Sequence, residues 1–202
     1  MKVLGLTGSV GMGKSTAARM LRRLGVPVHD ADAAVHDLMN KRGAAVAEVE
    51  AAFPGVVRDG AVDRKALGGK VFNDPAALRR LEAILHPMVR AETDAWLARQ
   101  QRRREPLVVL DVPLLFEGGD LERYDAVIVV SAPPFVQRAR VLRRPGMTED
   151  RFAQVLAQQM PDREKRRRAE FVVTTGLGKG HTLRQLARIV RLYRNGKGKR
   201  HA

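Results

Sequence analysis

Short, uninterrupted apolar runs alternate along this chain with longer stretches in which apolar residues recur at helical spacing. Lys2–Thr7 and Leu107–Asp111 are such runs and 126–130 is a third; strands buried on both faces read this way. The shorter runs 26–29 and 171–173 complete a set of five. Helical spacing covers 15–24, 135–143, 148–168 with a break near Pro161, and 182–194. Strands alternating with helices predict an α/β fold, a five-stranded parallel sheet flanked by helices.

From 33 to 96 the pattern is mostly helical, with turns at Pro54-Gly55 and Asp59-Gly60. Asp74-Pro75 can start a long helix, because aspartate caps and proline suits the first helical position. His86-Pro87 is expected to interrupt that helix, since proline lacks the amide donor and crowds the preceding turn. The basic, glycine-containing tail 195–202 is expected to be disordered. The whole of 1–202 reads as one domain, with no internal repeat.

The most informative stretch is Gly8-Ser9-Val10-Gly11-Met12-Gly13-Lys14-Ser15, which follows the first strand and opens the first helix. A chain of ordinary composition and this length meets that four-residue pattern by accident on the order of once in a hundred. The strand before and helix after supply the context that a phosphate loop requires. Small residues let successive backbone N–H groups turn toward a β-phosphate, and the helix start adds partial positive charge. Lys14 then reaches the β- and γ-phosphates, and the Ser15 hydroxyl ligates Mg²⁺. The nucleotide-binding set is therefore Gly8, Gly11, Met12, Gly13, Lys14, Ser15 and Thr16. A plain glycine turn would not require Lys14-Ser15.

Four kinds of protein carry such a loop. A small GTPase should show an Asn-Lys-x-Asp motif, and the nearest match is Asn40-Lys41-Arg42-Gly43. A motor or transporter ATPase commonly follows its strand-ending aspartate with a glutamate, but Val112-Pro113 follows Asp111. A DNA-handling ATPase stays open on charge. A kinase for a small nucleotide-like acceptor suits the rest of the chain. Asp32 lies just past the second strand, where open α/β sheets bind ligands, and can take a proton from an acceptor hydroxyl. Asp30 reads as a helix cap. Arg138, Arg140, Arg143 and Arg144 precede Pro145-Gly146 on a segment that can hinge over a nucleotide. Arg138 and Arg143 read as a solvated face, as does 165–168.

Composition adds limits. Lys+Arg 37 against Asp+Glu 22 gives +15, which suits nucleic acid or small phosphorylated substrates alike. With no cysteine there is no disulfide, thiolate metal site or thiol nucleophile. No run reaches the roughly 18 apolar residues of a membrane span, and no targeting segment stands out. His29, Asp30, Asp32 and His36 invite a metal reading, yet this cluster spans a loop without the defined ligand set of a zinc site. His86 either caps a broken helix turn or faces the acceptor.

Several segments together resemble one family, dephospho-coenzyme A kinase, almost end to end. They are Leu4-Gly5-Leu6-Thr7-Gly8, Asp30-Ala31-Asp32, Asp63-Arg64, Val71-Phe72-Asn73-Asp74 and Leu81-Glu82-Ala83-Ile84-Leu85-His86-Pro87. Asp111-Val112-Pro113-Leu114-Leu115-Phe116-Glu117, Arg144-Pro145-Gly146-Met147-Thr148, Gln158-Gln159-Met160 and Phe171-Val172-Val173 follow. The loop is generic; the His-Pro and Asp-Val-Pro-Leu-Leu-Phe-Glu segments are specific.

The resemblance implies a nucleotide-kinase-like core over 1–32, 105–134 and 169–194, a helical acceptor-binding region over about 33–101, and a lid over about 136–159. The implied reaction moves the γ-phosphoryl of MgATP onto the 3′-hydroxyl of the ribose of dephospho-CoA. Asp32 then looks like the base, with Lys14, Arg140 and Arg144 completing the catalytic set. Arg64, His86, Pro113, Leu114 and Leu115 would touch the acceptor beside Asp32, and Asp111 would support magnesium together with Ser15. Both substrates are polyanions, which explains part of the charge without nucleic acid. A cytoplasmic monomer with small-molecule substrates is expected. His29, Ser9, Glu170 and Thr175 depart from residues frequent in the family; at Thr175 asparagine often contacts adenine.

Overall fold

The computed structural model describes residues 1–72, 74–118 and 120–196; Asn73, Gly119 and the tail from 197 lie outside the described residues. In chain order the elements are β1 (Lys2–Thr7), α1 (Lys14–Arg23), β2 (Val28–Asp30), α2 (Ala31–Met39), α3 (Val46–Ala52), β3 (Val57–Arg58), β4 (Ala61–Val62) and α4 (Arg64–Val71). There follow α5 (Pro75–Arg102), β5 (Leu107–Asp111), β6 (Ala126–Ser131), α6 (Pro134–Leu142), α7 (Glu149–Ala157), α8 (Asp162–Arg168), β7 (Phe171–Thr174) and α9 (Lys179–Arg194). The chain divides into two compact units, Met1–His29 with the chain from Gln100 onward, and Asp30–Arg99.

The first unit is built on the expected five-stranded sheet, in the order β2-β5-β1-β6-β7. The pairs β1–β5, β1–β6 and β6–β7 all run parallel. Every residue of β5 and of β6 is buried, which is why those segments read as continuous apolar runs. One face packs Leu4, Leu6, Ile128, Val130 and Val173 against Ala17, Leu21, Leu186 and Ile189 of α1 and α9. The other buries Val127 and Val129 beneath Leu115 and Phe116. A fully buried leucine in such a layer contributes roughly 1.5–3 kcal/mol. The register sets Leu6 of β1 opposite Asp111 of β5, so the loop leaving β1 starts beside that carboxylate.

The second unit is mostly helical, around Val49, Phe53, Val56, Leu67, Leu81 and Leu85. Asp30 caps α2 by accepting from the N–H groups of Asp32 and Ala33, and Asp63 caps α4 in the same way. Two features depart from the expectation. Asp59 and Gly60, at φ 53 and 78, close an antiparallel hairpin of β3 and β4. Left-handed conformations at both central residues match the twist of the paired strands, so Asp-Gly makes a hairpin here and not a bare turn.

The second correction concerns His86-Pro87. α5 runs unbroken for 28 residues with Pro87 inside it, so His86 caps no helix end. The helix forgoes one backbone hydrogen bond there, but Leu81 and Leu85 anchor its buried face while His86 and Pro87 lie on the exposed side. Packing of the apolar face outweighs the local penalty.

Candidate active site in the glycine loop and its surroundings

The loop between β1 and α1 bends twice through left-handed glycines, Gly11 at φ 76 and Gly13 at φ 94. A Cβ at Gly11 would lie 2.5 Å from Val141 Cγ2, so the position needs both the conformation and the missing side chain. Gly8 packs against Val130, and Met12 is buried with its sulfur 3.1 Å from the Ala132 N–H. The Gly13 carbonyl accepts from Thr16 and Ala17. At this helix start the N–H groups of Lys14 and Ser15 have no hydrogen-bond partner among the described residues. Ser15 is exposed and Thr16 half-buried.

Lys14 Nζ lies 2.6 Å from Asp111 Oδ1, and the Asp111 side chain is 2% exposed. A strand-ending carboxylate thus meets the loop lysine, as the register of β1 and β5 dictates. Nearby, Thr7 Oγ1 donates to the Pro113 carbonyl at 2.9 Å. Leu114 is exposed at 47%, whereas Leu115 is 3% exposed and belongs to the core. Leu115 packs with Phe116, Val127 and Val129, so any part it takes in an acceptor pocket is in shaping its wall from beneath.

Three consecutive loop carbonyls are held by side-chain donors. Gln137 Nε2 donates to Val10 O at 2.8 Å, Arg140 to Gly11 O at 3.4 Å, and Thr175 Oγ1 to Met12 O at 2.7 Å. Arg140 also donates to Thr175 Oγ1 and to its carbonyl, at 3.0 and 2.8 Å. That arginine is fastened to the loop. Arg144, at the turn after α6, is exposed, and its guanidinium makes no hydrogen bond among the described residues. Arg138 pairs with Glu149 across α6 and α7 on the surface.

Behind α7, Gln159 Oε1 accepts the Val10 N–H at 3.0 Å. The next residue, Met160, donates its N–H to Glu117 Oε1 at 2.8 Å. Lys165 Nζ lies 3.0 Å from the same oxygen and is fully buried. That contact is an ion pair and not an aligned hydrogen bond, since Nζ lacks a partner of good geometry. Burial pushes the Glu117 carboxyl up, but the Met160 amide and the Lys165 ammonium outweigh it, leaving the group below its usual range. The expected solvated face over 165–168 is thus corrected at Lys165, which turns inward toward that carboxylate while Arg166, Arg167 and Arg168 stay exposed.

In the second unit Asp32 sits in the first turn of α2, exposed, its carboxylate without a partner among the described residues. His36 follows one turn later on the same helix face, and Arg64 Nη1 lies 3.4 Å from its Nδ1. The unit therefore gathers Asp32, His36 and Arg64 around one face of α2, while His86 stands exposed on α5. No cluster of three or more potential metal ligands occurs among the described residues, and no described helix is long and apolar enough to cross a membrane.

Residues 2–178 match the family model of dephospho-CoA kinase. The chain belongs to the dephospho-CoA kinase family. A curated dephospho-CoA kinase from Paramagnetospirillum magneticum is 69% identical over 166 residues, covering 82% of this chain and 78% of that protein. One from Rhodospirillum rubrum is 58% identical over 196 residues, covering 96% and 92%. Among solved structures, TT1252 from Thermus thermophilus shares 37% identity with a TM-score of 0.83, covering 94% of this chain and 96% of that one.

For a dephospho-CoA kinase family member, sequence reasoning had named the loop and the carboxylates but not what holds the loop. Gln137 was legible in principle: it lies one turn before Val141 on the buried face of α6, an unusual place for an amide. Lys165 carried no such signal, because its neighbours in α8 are all charged.

Proposed function

We propose that the chain transfers the γ-phosphoryl group of ATP to the 3′-hydroxyl of the ribose of dephospho-CoA, giving coenzyme A and ADP, with the glycine loop as donor site. The family match over 2–178 carries this reading. ATP is the phosphoryl donor and dephospho-CoA the acceptor. The reading carries with it a cytoplasmic reaction on small, highly charged substrates.

The unpaired N–H groups of Lys14 and Ser15 receive phosphate oxygens at the start of α1. Lys14 exchanges Asp111 for the β- and γ-phosphates as nucleotide enters, and its ammonium follows the charge that develops on the transferred group. Asp111, at the end of β5, is the carboxylate that this lysine meets, and Ser15, in the first turn of α1, carries the next hydroxyl in the chain. These two hard oxygen donors fit Mg²⁺ and would hold it. When bound, the ion neutralises charge on the β- and γ-phosphates. Arg144, with no competing partner among the described residues, can approach the phosphates, whereas Arg140 holds the loop.

Asp32 accepts the proton of the 3′-hydroxyl as its oxygen bonds to the γ-phosphorus and the bond to the ADP oxygen breaks. Its unpartnered carboxylate supports that role, since Asp30 already caps the helix and leaves Asp32 uncommitted. Arg64 offers positive charge, and His36 a hydrogen-bonding ring, on the same face of α2 to an anionic acceptor.

A coupled assay of ADP formation tests the reading, with dephospho-CoA and DNA each offered in turn. ADP formation should require dephospho-CoA; turnover indifferent to it overturns the proposal. Asp32→Asn should bind MgATP normally and lose about 10²–10⁴-fold in kcat. Near-normal turnover would remove Asp32 from the base role.

A further inference from the structure

Both backbone groups of Val10 are taken by side-chain amides that flank the segment reading as the lid. Gln137, in the first turn of α6, donates to the Val10 carbonyl at 2.8 Å, and Gln159, just past α7, accepts the Val10 N–H at 3.0 Å. A backbone N–H can only donate and a carbonyl can only accept, so Gln159 must present oxygen and Gln137 nitrogen. Each end of the α6–α7 segment is thereby attached to the same loop residue. Each attachment is backed independently: Gln137 is 6% exposed beside Val141, and the residue after Gln159 donates its N–H to Glu117, whose carboxylate is paired with the buried Lys165.

We propose that Gln137 and Gln159 form an amide clamp on Val10 that holds the glycine loop in its phosphate-receiving shape and serves as the fixed pivot of the arginine-bearing lid. They are positioning residues, acting through the loop. Because the Val10 carbonyl is held by Gln137, and those of Gly11 and Met12 by Arg140 and Thr175, reversing the loop's peptide units when phosphate is absent would break these bonds. The clamp also makes lid and loop a single mechanical unit, since a lid anchored at both ends to Val10 moves about that point. The proposal rests on the loop being the ATP site, and its test is chosen to separate the two.

The donor–acceptor polarity gives an asymmetric experiment with two substitutions of the same charge. Gln159→Glu keeps an acceptor for the Val10 N–H, whereas Gln137→Glu sets a carboxylate against the Val10 carbonyl. MgATP and ADP affinities measured by calorimetry, without acceptor, report on the loop alone. The expected result is nucleotide affinity within about threefold of the parent for Gln159→Glu and a loss of at least about tenfold for Gln137→Glu. Gln159→Met, which removes the acceptor, should lose about tenfold. Steady-state kinetics should show the loss in KM for ATP and in kcat, with KM for dephospho-CoA little changed.

A protonated glutamic acid regains an O–H donor, so the Gln137→Glu deficit should shrink as pH falls from about 8 to 5.5, burial having raised the carboxyl of that variant. Far-ultraviolet circular dichroism and melting curves identify any variant that fails to fold, and the Gln159→Glu and Gln159→Met pair still decides in that case. Equal effects of the two glutamate substitutions, equal effects of Gln159→Glu and Gln159→Met, or no effect of any, overturn the clamp. Tight nucleotide binding without dephospho-CoA-dependent turnover in the parent protein overturns the function and leaves the clamp standing.

Discussion

Lys165 takes its ammonium to complete burial in a helix whose other basic residues are exposed, and Glu117 is the carboxylate that meets it. Removing one partner of a buried pair costs about 3–5 kcal/mol, because the other charge is left uncompensated. The Glu117 side chain is 22% exposed, so solvent screens the pair, and Glu117→Gln should cost about 2–3 kcal/mol at neutral pH. Lys165→Met, which removes the buried charge and keeps the stem volume, should cost less. The acid dependence follows from the lowered carboxyl value of Glu117. A group held below its usual range adds stability that is complete above that range and fades as pH falls through the lowered value. The difference in melting temperature between the parent and Glu117→Gln should therefore narrow on acidification below the ordinary carboxylate range. A constant difference would show that the ion pair carries none of it.

Among elements, α5 carries a proline that its local chemistry does not favour. Pro87 lies on the exposed side of the 28-residue helix, with Leu85 buried beside it and Met88 packed against the same cluster. Pro87→Ala should restore a donor and raise the stability of the second unit by about 1–3 kcal/mol, read as a higher denaturant midpoint at unchanged slope. No gain, or a loss, would mean that the ring makes a contact worth as much as the missing hydrogen bond. The hairpin of β3 and β4 shows the opposite balance, with local chemistry deciding. Asp59 and Gly60 adopt the left-handed pair that Asp-Gly favours, in strands too short to be seen by periodicity.

Across the whole molecule the charge of +15 bears on association more than on fold. ATP and dephospho-CoA are polyanions, and a strongly basic protein concentrates them at low ionic strength. Raising salt from about 0.05 to 0.5 M shrinks the screening length severalfold. KM for both substrates should rise severalfold across that range while kcat changes little. A flat KM would assign the basic residues to solubility and not to substrate capture.

The α/β class, the five strands and the glycine loop were legible in the sequence, because period, breakers and phosphate chemistry are local properties of Lys2–Thr7, Leu107–Asp111 and Gly8–Ser15. Asp30 as a cap was legible for the same reason: an aspartate answers orphan N–H groups two and three residues away. Contacts made across long stretches of chain were not. The pairing of Lys14 with Asp111 needed the parallel register of β1 and β5. Leu114 and Leu115 are identical in sequence, yet one is exposed and the other is core, a choice made by the loop's path over the sheet. The grip of Gln137 and Gln159 on Val10 joins residues more than a hundred positions apart, so no spacing rule could have shown it. Residue types determined that this chain handles phosphate; only the tertiary structure decided what holds the loop still while it does so.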